Sequence, residues 1–431
     1  MIRFVYNLLW PIGLLFFLPG HLVKMFRRGG YREKFGQRLG IYDADVRGRL
    51  AKPRSTWLHA VSVGEVAIAL KLAQAMHRLE PDWPIALTTT TTTGFAFARM
   101  NAPSWIEVMY SPLDFWPIMR HAFAVINPAR IVLIEAEVWP NLVAFAHSRG
   151  ISIALVNARL SPRSEKRFRR FRFFVAPFFC RLDLVCVQEP EDANRWSAIG
   201  VRRDRIQVVG SIKYDPEHIL LDPSVADKVL RDLKIDPARP VLFGGSTHRG
   251  EEEILGRIFV DLRVQFPDLF LIIAPRHAER GSEVGRAFER LGLRAALRSQ
   301  ACAVEGPIDC LLLDSTGELR NWYGTATVVF IGKSLTKQSR GGQNPVEPIV
   351  AGRPIIFGPQ MENFAALARS IVALRGAIQV DSEPGLKNAI VDLLRDATLR
   401  EKLVANARAT LDVHRGATVR TARLIADLQR N

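Results

Sequence analysis

The sequence predicts an α/β protein built from two doubly wound, mostly parallel-sheet domains in series. Short apolar runs with β preference alternate with amphipathic helical patterns, the rhythm of a parallel sheet covered on both faces. A proline-containing, highly charged break at residues 215–240 separates two such series. The length, 431 residues, exceeds what one core usually holds and leaves each half enough chain to bury its own interior.

Taken in order, the first series places strands at 56–62, 85–90, 106–110, 130–134, 152–157, 184–188 and 207–210, with helical patterns at 66–79, 114–125, 141–148 and 191–199. The second places strands at 241–244, 270–274, 310–313, 328–332 and 354–357, with helical patterns between them. The tail, 397–429, is helical in pattern and is expected to pack back across both domains. The resulting division is an anchor segment at 1–30, a first domain at 31–214, a linker at 215–240, a second domain at 241–396 and terminal helices at 397–431.

The anchor rests on residues 4–23, which contain no Asp, Glu, Lys or Arg and are rich in Leu and Phe. As a helix this run is long enough for a bilayer core of about 30 Å. A signal peptide is the competing reading, but the run is followed by Lys24, Arg27, Arg28, Arg32 and Lys34 rather than by a small-residue cleavage site. The positive-inside rule puts that flank, and the domains after it, in the cytoplasm. Pro11 and Pro19 leave open a kinked span or a helix lying in one leaflet.

The formal charge of +16 suits polyanionic partners: nucleic acid, an anionic membrane, or phosphorylated and carboxylated substrates. Four cysteines, Cys180, Cys186, Cys302 and Cys310, show neither CxxC spacing nor a disulfide framework, so a reducing compartment is expected. The nine histidines form no HExxH or His/Cys cluster, and no metal site or cofactor is expected.

Candidate chemistry gathers where strands turn into helices, because strand ends and free helix N–H groups converge there. At the first such turn Gly64 breaks an apolar strand and Glu65 opens a helix that continues through Leu70, Leu72, Ala73 and Met76. Glu65 either caps its helix or, kept ionised by the helix dipole, accepts a proton from a sugar or water hydroxyl. Glu135 and Glu137 follow another strand at alternate positions, where one carboxylate should feel the other. Lys213 stands near the end of the last first-domain strand and could neutralise a leaving phosphate. In the second domain, residues 244–250 form a loop whose backbone could cradle a phosphate, although it is not a Walker A motif. Arg276 stands just past a buried strand, suited to bidentate phosphate contact. Residues 314–318 read as a capping turn. The densest pattern is Gly341-Gly342-Gln343-Asn344-Pro345-Val346-Glu347-Pro348, in which paired glycines permit close approach and Glu347 could hold both hydroxyls of a ribose. Finally, Arg159, Arg163, Lys166, Arg167, Arg169 and Arg170 are interleaved with Phe168 and Phe171. That mixture suits an anionic lipid surface, and nucleic acid could use the same chemistry; with an anchor present, the membrane is favoured.

In combination, Ser62-Val63-Gly64-Glu65, Glu135-Ala136-Glu137-Val138-Trp139-Pro140-Asn141, Asn157-Ala158-Arg159-Leu160-Ser161 and Gly342-Gln343-Asn344-Pro345-Val346-Glu347 resemble, in order and approximate spacing, the 3-deoxy-D-manno-octulosonic acid (Kdo) transferases of lipopolysaccharide assembly. The likeness covers essentially the whole chain, from Tyr31-Arg32-Glu33-Lys34-Phe35-Gly36 to Gly358-Pro359-Gln360-Met361-Glu362-Asn363-Phe364. It implies a two-domain glycosyltransferase of the GT-B type that moves Kdo from CMP-Kdo to a lipid A precursor at the cytoplasmic face of the inner membrane, with anionic membrane lipids as partners, no nucleic acid and no cofactor. By the same resemblance Glu65 is the catalytic base, and Glu135 and Lys213 stabilise the transition state. Pro275, Arg276, Thr316, Gly317, Glu318, Asn344, Pro345, Val346 and Glu347 fall on the CMP-binding segments. Gln343 departs from the family pattern, where many members carry His, but keeps donor and acceptor capacity. The alternatives are another membrane-associated GT-B transferase using a UDP-sugar, and a non-catalytic membrane-tethered protein that binds nucleotide or nucleic acid.

Overall fold

The computed structural model describes residues 2–28, 34–50, 54–216, 222–303, 306–336, 338 and 340–428. Arg32, part of the basic flank, and Tyr31 and Glu33 of the first matched motif lie outside them. Two compact units are present: Met1–Asp215 with Gly416–Asn431, and Pro216–Arg415.

The first unit holds a seven-stranded parallel sheet of β1 (Ser55–Ala60), β2 (Ile85–Thr89), β3 (Ile106–Tyr110), β4 (Pro128–Ile134), β5 (Ser152–Ala158), β6 (Leu184–Val187) and β7 (Ile206–Val208), in the order β3-β2-β1-β4-β5-β6-β7. Every residue of β1 is buried, as expected of a strand covered on both faces. Successive side chains feed opposite cores. Trp57 packs with Met109, Phe123 and Trp196 on one face, and Leu58 with Leu72, Leu87 and Val132 on the other.

The second unit repeats the plan with β8 (Val241–Thr247), β9 (Phe270–Pro275), β10 (Ala295–Leu297), β11 (Cys310–Leu312), β12 (Val328–Ile331), β13 (Ile355–Phe357) and β14 (Ile378–Gln379), in the order β10-β11-β9-β8-β12-β13-β14, again all parallel. Leu242, Leu271, Phe330 and Ile356 share its core with Leu255 and Phe259 of the helix Glu251–Leu262.

Several elements depart from the sequence reading. The helix Thr92–Asn101 departs from the sequence pattern because it begins inside a run of six threonines, which reads as strand; Thr91 starts the helix by accepting a hydrogen bond from the Gly94 N–H. β10 and β14, of three and two residues, are edge strands too short to carry a pattern. Of the stretch read as linker, residues 224–232 form the helix Ser224–Asp232 and belong to the second unit. The terminal helices divide: Ala397–Asp412 lies in the second unit, while Ala417–Asp427 packs in the first against the helix Val63–Leu79. The Asp215 carboxylate starts that last helix by accepting from the N–H groups of Gly416 and Thr418 and from the Thr418 hydroxyl.

The helix Ile2–Arg28 contains the charge-free run, yet among the described residues no helix is long and apolar enough to cross a membrane. Its opening turns are tied to the first unit by polar groups. Arg3 Nε and Asn7 Nδ2 donate to Asn141 Oδ1 at 3.0 and 2.9 Å, the Trp116 N–H donates to Asn7 Oδ1, and Trp10 stacks on Phe115 at 5.0 Å.

Strand order also fixes where ligands can enter. In an open parallel sheet the crevice lies outside the carboxyl ends of the two strands at which the order reverses. Those strands are β1 and β4 in the first unit and β8 and β12 in the second.

Candidate functional sites at the two strand-order reversals

The turns leaving β1 and β4 carry the first-unit acids. After β1 the chain enters the helix Val63–Leu79 with Ser62 as its cap. The Glu65 carboxylate turns back over this entry, one oxygen accepting from the Val61 N–H and the other from the Ser62 hydroxyl, both at 2.9 Å. This is the geometry of a cap. A carboxylate has about four lone-pair sites, so two bonds leave room for a ligand hydroxyl. Burial, with a smaller contribution from the Glu135 charge, raises the Glu65 pKa above its ordinary value, against the lowering effect of these hydrogen bonds.

After β4 the backbone of Glu135 is left-handed, with φ of 63°, and its N–H donates to Val156 O on β5. Such a conformation is uncommon outside glycine, and backbone strain of this kind clusters at functional sites. Burial raises the Glu135 pKa, while Arg159 and Lys213 pull it down. Glu137 is pushed further, to about 7, by burial and by the charges of Glu65 and Glu135. Lys213 is lowered by burial, which Glu135 partly offsets. The structure thus brings Glu65, Glu135, Glu137, Arg159 and Lys213 into one electrostatic cluster. Arg159, grouped in the sequence reading with the basic-aromatic segment, is half-buried here beside Glu135.

Lys213 is held by a loop fixed on several sides. Asn157, at the end of β5, accepts on Oδ1 from the Ser211 hydroxyl at 3.2 Å and the Ile212 N–H at 3.1 Å. Lys71 donates to Ile212 O and Asp215 O, and Arg420 to Val209 O. Asn157 is 1% exposed and has φ of 52°, a conformation Asn tolerates better than most residues. Sequence alone assigns no role to Asn157 or Glu137; the one sign is their place, at the end of β5 and just after β4, inside the matched motifs.

In the second unit, β8 and β12 end side by side. Gly332 donates its N–H to Gly245 O, and a Cβ on Gly332 would lie 2.2 Å from Ser246 O, so only glycine allows this approach. The loop expected to cradle a phosphate has committed part of its backbone. Glu251, fully buried, accepts from the N–H groups of His248, Lys333, Ser334 and Leu335, so its carboxylate occupies donors that an anion would need. What remains is positive potential. The His248 pKa falls to about 4 through burial and the surrounding Lys333, His277, Arg276 and Arg280. Gln343 Nε2 lies 3.2 Å from His248 Nε2, which suits a neutral ring accepting from the amide. Arg276 is exposed at the end of β9, its N–H bonded to Thr247 O.

Gly341 and Gly342 have φ of 122° and 66°, and a Cβ on Gly342 would meet Met361 Sδ at 2.4 Å. The chain then enters the short helix Val346–Val350. Asn344 accepts from the Val346 N–H and donates to a Glu347 oxygen at 3.2 Å. Burial raises the Glu347 pKa, and the Glu347 charge contributes to raising that of buried Tyr323, whose ring packs under Gly245. Pro275 closes β9; Thr316 and Gly317 are exposed past β11, and Glu318 pairs with Arg298 at 3.4 Å.

The segment with Arg163, Lys166, Arg167, Phe168, Arg169, Arg170 and Phe171 folds into the helix Pro162–Arg170, followed by Arg172–Phe179. Its basic side chains are exposed, and Phe168 turns inward against Phe179 at 5.4 Å. Among the described residues no group of three His, Cys, Asp or Glu side chains is placed to hold a metal ion.

Comparison with known proteins agrees with this layout. Residues 33–216 match the family described as 3-Deoxy-D-manno-octulosonic-acid transferase (kdotransferase). The 3-deoxy-D-manno-octulosonic acid transferase of Haemophilus influenzae is 31% identical over 411 residues, covering 93% of each chain. That of Bordetella pertussis is 33% identical over 412 residues, again covering 93% of each. A glycosyltransferase from Rickettsia africae, 10% identical, superposes with a TM-score of 0.54 over 88% of this chain and 100% of its own, a likeness of fold of the GT-B type. With this coverage and identity, the chain belongs to the 3-deoxy-D-manno-octulosonic acid (Kdo) transferase family of glycosyltransferases.

Proposed function

We propose that the chain is an inverting glycosyltransferase that moves Kdo from CMP-Kdo to a hydroxyl of a lipid A precursor at the cytoplasmic face of the inner membrane. The observation that carries this reading is the division of charge between the two strand-order reversals. A cluster of carboxylates with raised pKa values stands at β1 and β4, and a basin of positive potential stands at β8 and β12.

In the reaction the acceptor oxygen bonds to the anomeric carbon of Kdo as the bond from that carbon to the phosphate oxygen breaks, and the electron pair leaves on CMP. Glu65 takes the proton of the attacking hydroxyl; a carboxylate raised toward neutrality is a better base than a free one. One displacement from the opposite face inverts the centre. Glu135 stabilises positive charge developing on the sugar, and Lys213 the negative charge on the departing phosphate. Arg276 and the potential around His248 suit the CMP phosphate, while Asn344 through Glu347, with Pro275 and residues 316–318, receive its nucleoside. The helix Ile2–Arg28 and the basic helix Pro162–Arg170 hold the enzyme at the anionic bilayer surface.

The test is mass spectrometry of a tetraacylated, bisphosphorylated lipid A precursor incubated with the protein and with CMP-Kdo generated in the same tube. A gain of whole Kdo units is expected. No gain, or equal use of a UDP-sugar, overturns the assignment.

A further inference from the structure

The opening turns of the helix Ile2–Arg28 do more than attach it. Between them, the turn after β4 and the helices Pro162–Arg170 and Arg172–Phe179 lies a cavity of about 310 Å³, at the lower end of ligand-site volumes of about 300–1,000 Å³. Val5, Leu9, Val138, Phe168, Val175 and Phe178 are among its lining residues, and its lining is almost wholly apolar.

Two observations say what belongs there. First, the helices that wall it are basic. Arg163, Lys166, Arg167, Arg170 and Arg172 are exposed, and none is ion-paired among the described residues, so an amphiphile with an apolar tail and phosphate groups matches both surfaces. Second, Val138 and Pro140, from the turn of chain that also carries Glu135 and Glu137, line the cavity. A tail held there keeps its head group on the same turn of chain as Glu135 and Glu137.

We propose that this cavity is an acyl-chain site for the phosphorylated lipid acceptor, a proposal that rests on the transferase reading above. The N-terminal helix then supplies one wall of the acceptor site, and the arginines of the adjoining helices take the acceptor phosphates.

The experiment uses the full chain in detergent and a tetraacylated, bisphosphorylated glucosamine disaccharide carrying a diazirine on one acyl chain. After irradiation, labelled peptides are mapped by mass spectrometry. Label is expected within residues 2–10 and 168–179, displaced by unlabelled disaccharide and not by phosphatidylglycerol at the same concentration. In parallel, Val175→Trp, which fills the cavity, should raise KM for the acceptor about tenfold or more with kcat and CMP affinity retained. Phe173→Ala, on the same helix but 69% exposed and outside the lining, should leave KM unchanged. Label elsewhere with Kdo transfer intact, or displacement by phosphatidylglycerol as efficient as by the acceptor, overturns the acyl site alone. Absence of both transfer and label overturns the transferase reading and the acyl site with it.

Discussion

Replacing Asn157 with alanine tests how the Lys213 loop is held. The change removes the acceptor for the Ser211 hydroxyl and the Ile212 N–H, and Ile212 is fully buried. A buried donor left without a partner costs about 1–3 kcal/mol. Alanine must also adopt the left-handed backbone of Asn157, φ 52°, at about 1–2 kcal/mol. The expected destabilisation of Asn157→Ala is therefore about 2–5 kcal/mol, and Asn157→Gly should recover the backbone share alone. Denaturant unfolding at neutral pH reads both values. Turnover of the soluble fraction, measured well below the unfolding temperature, should fall chiefly in kcat if Lys213 acts in the transition state as proposed. In a Lys213→Ala background the further loss of kcat caused by Asn157→Ala should shrink, as expected when two residues act as one unit. Full additivity of the two losses, or a stable and fully active Asn157→Ala, refutes the positioning role.

Three further outcomes are expected. The Glu137 carboxyl titrates near 7 in the folded protein instead of at its ordinary 4.5, so it binds its proton more tightly when folded; its contribution to stability is full below pH 4.5 and is lost as pH rises through 7. Glu137→Gln should lack this decline, so that relative to wild type it gains up to about 3 kcal/mol between pH 4.5 and 8; parallel stability curves contradict the assignment. Gly342→Ala forces a Cβ to 2.4 Å from Met361 Sδ at φ of 66°, and should cost about 2–4 kcal/mol in thermal or denaturant unfolding, whereas an unchanged midpoint would mean the loop is not held as described. Glu347→Ala should weaken CMP binding about tenfold or more by calorimetry, the share of one charged hydrogen-bonding partner; unchanged affinity removes Glu347 from the nucleotide site.

Most of the fold was legible because parallel strands buried on both faces leave continuous apolar runs, as in β9 and β12, and no solvent-facing alternation competes with that pattern. What escaped was local. The threonine run hid the helix Thr92–Asn101, since β-branched residues suit strands unless a cap such as Thr91 starts a helix. The edge strands β10 and β14 are held by neighbours rather than by their own pattern. The motif acids could be placed at strand ends from sequence, but their electrostatics could not. That Glu137 is the carboxylate driven to about 7 depends first on its burial in the fold and then on the charges of Glu65, distant in the chain, and Glu135. Likewise Glu251 takes the His248 N–H of the loop at 244–250 and, at the same time, the N–H groups of residues 333–335, a long-range contact that no local spacing reveals. The exposed Phe4, Leu8, Leu15 and Phe16 keep the apolar character read for the N-terminal run, while Arg3 and Asn7, at its start, turn out to bind the first unit.

The proposed role of Glu65 as the base is tested by single-turnover Kdo transfer by Glu65→Gln, followed by mass spectrometry of the acceptor, with CMP affinity measured on the same preparation. Glutamine keeps the shape and one acceptor oxygen of the capping turn but cannot take a proton, so the transfer rate should fall about 10²–10⁴-fold while CMP affinity stays at the wild-type value. Transfer at the wild-type rate would remove Glu65 from the proton transfer and leave it as a helix cap.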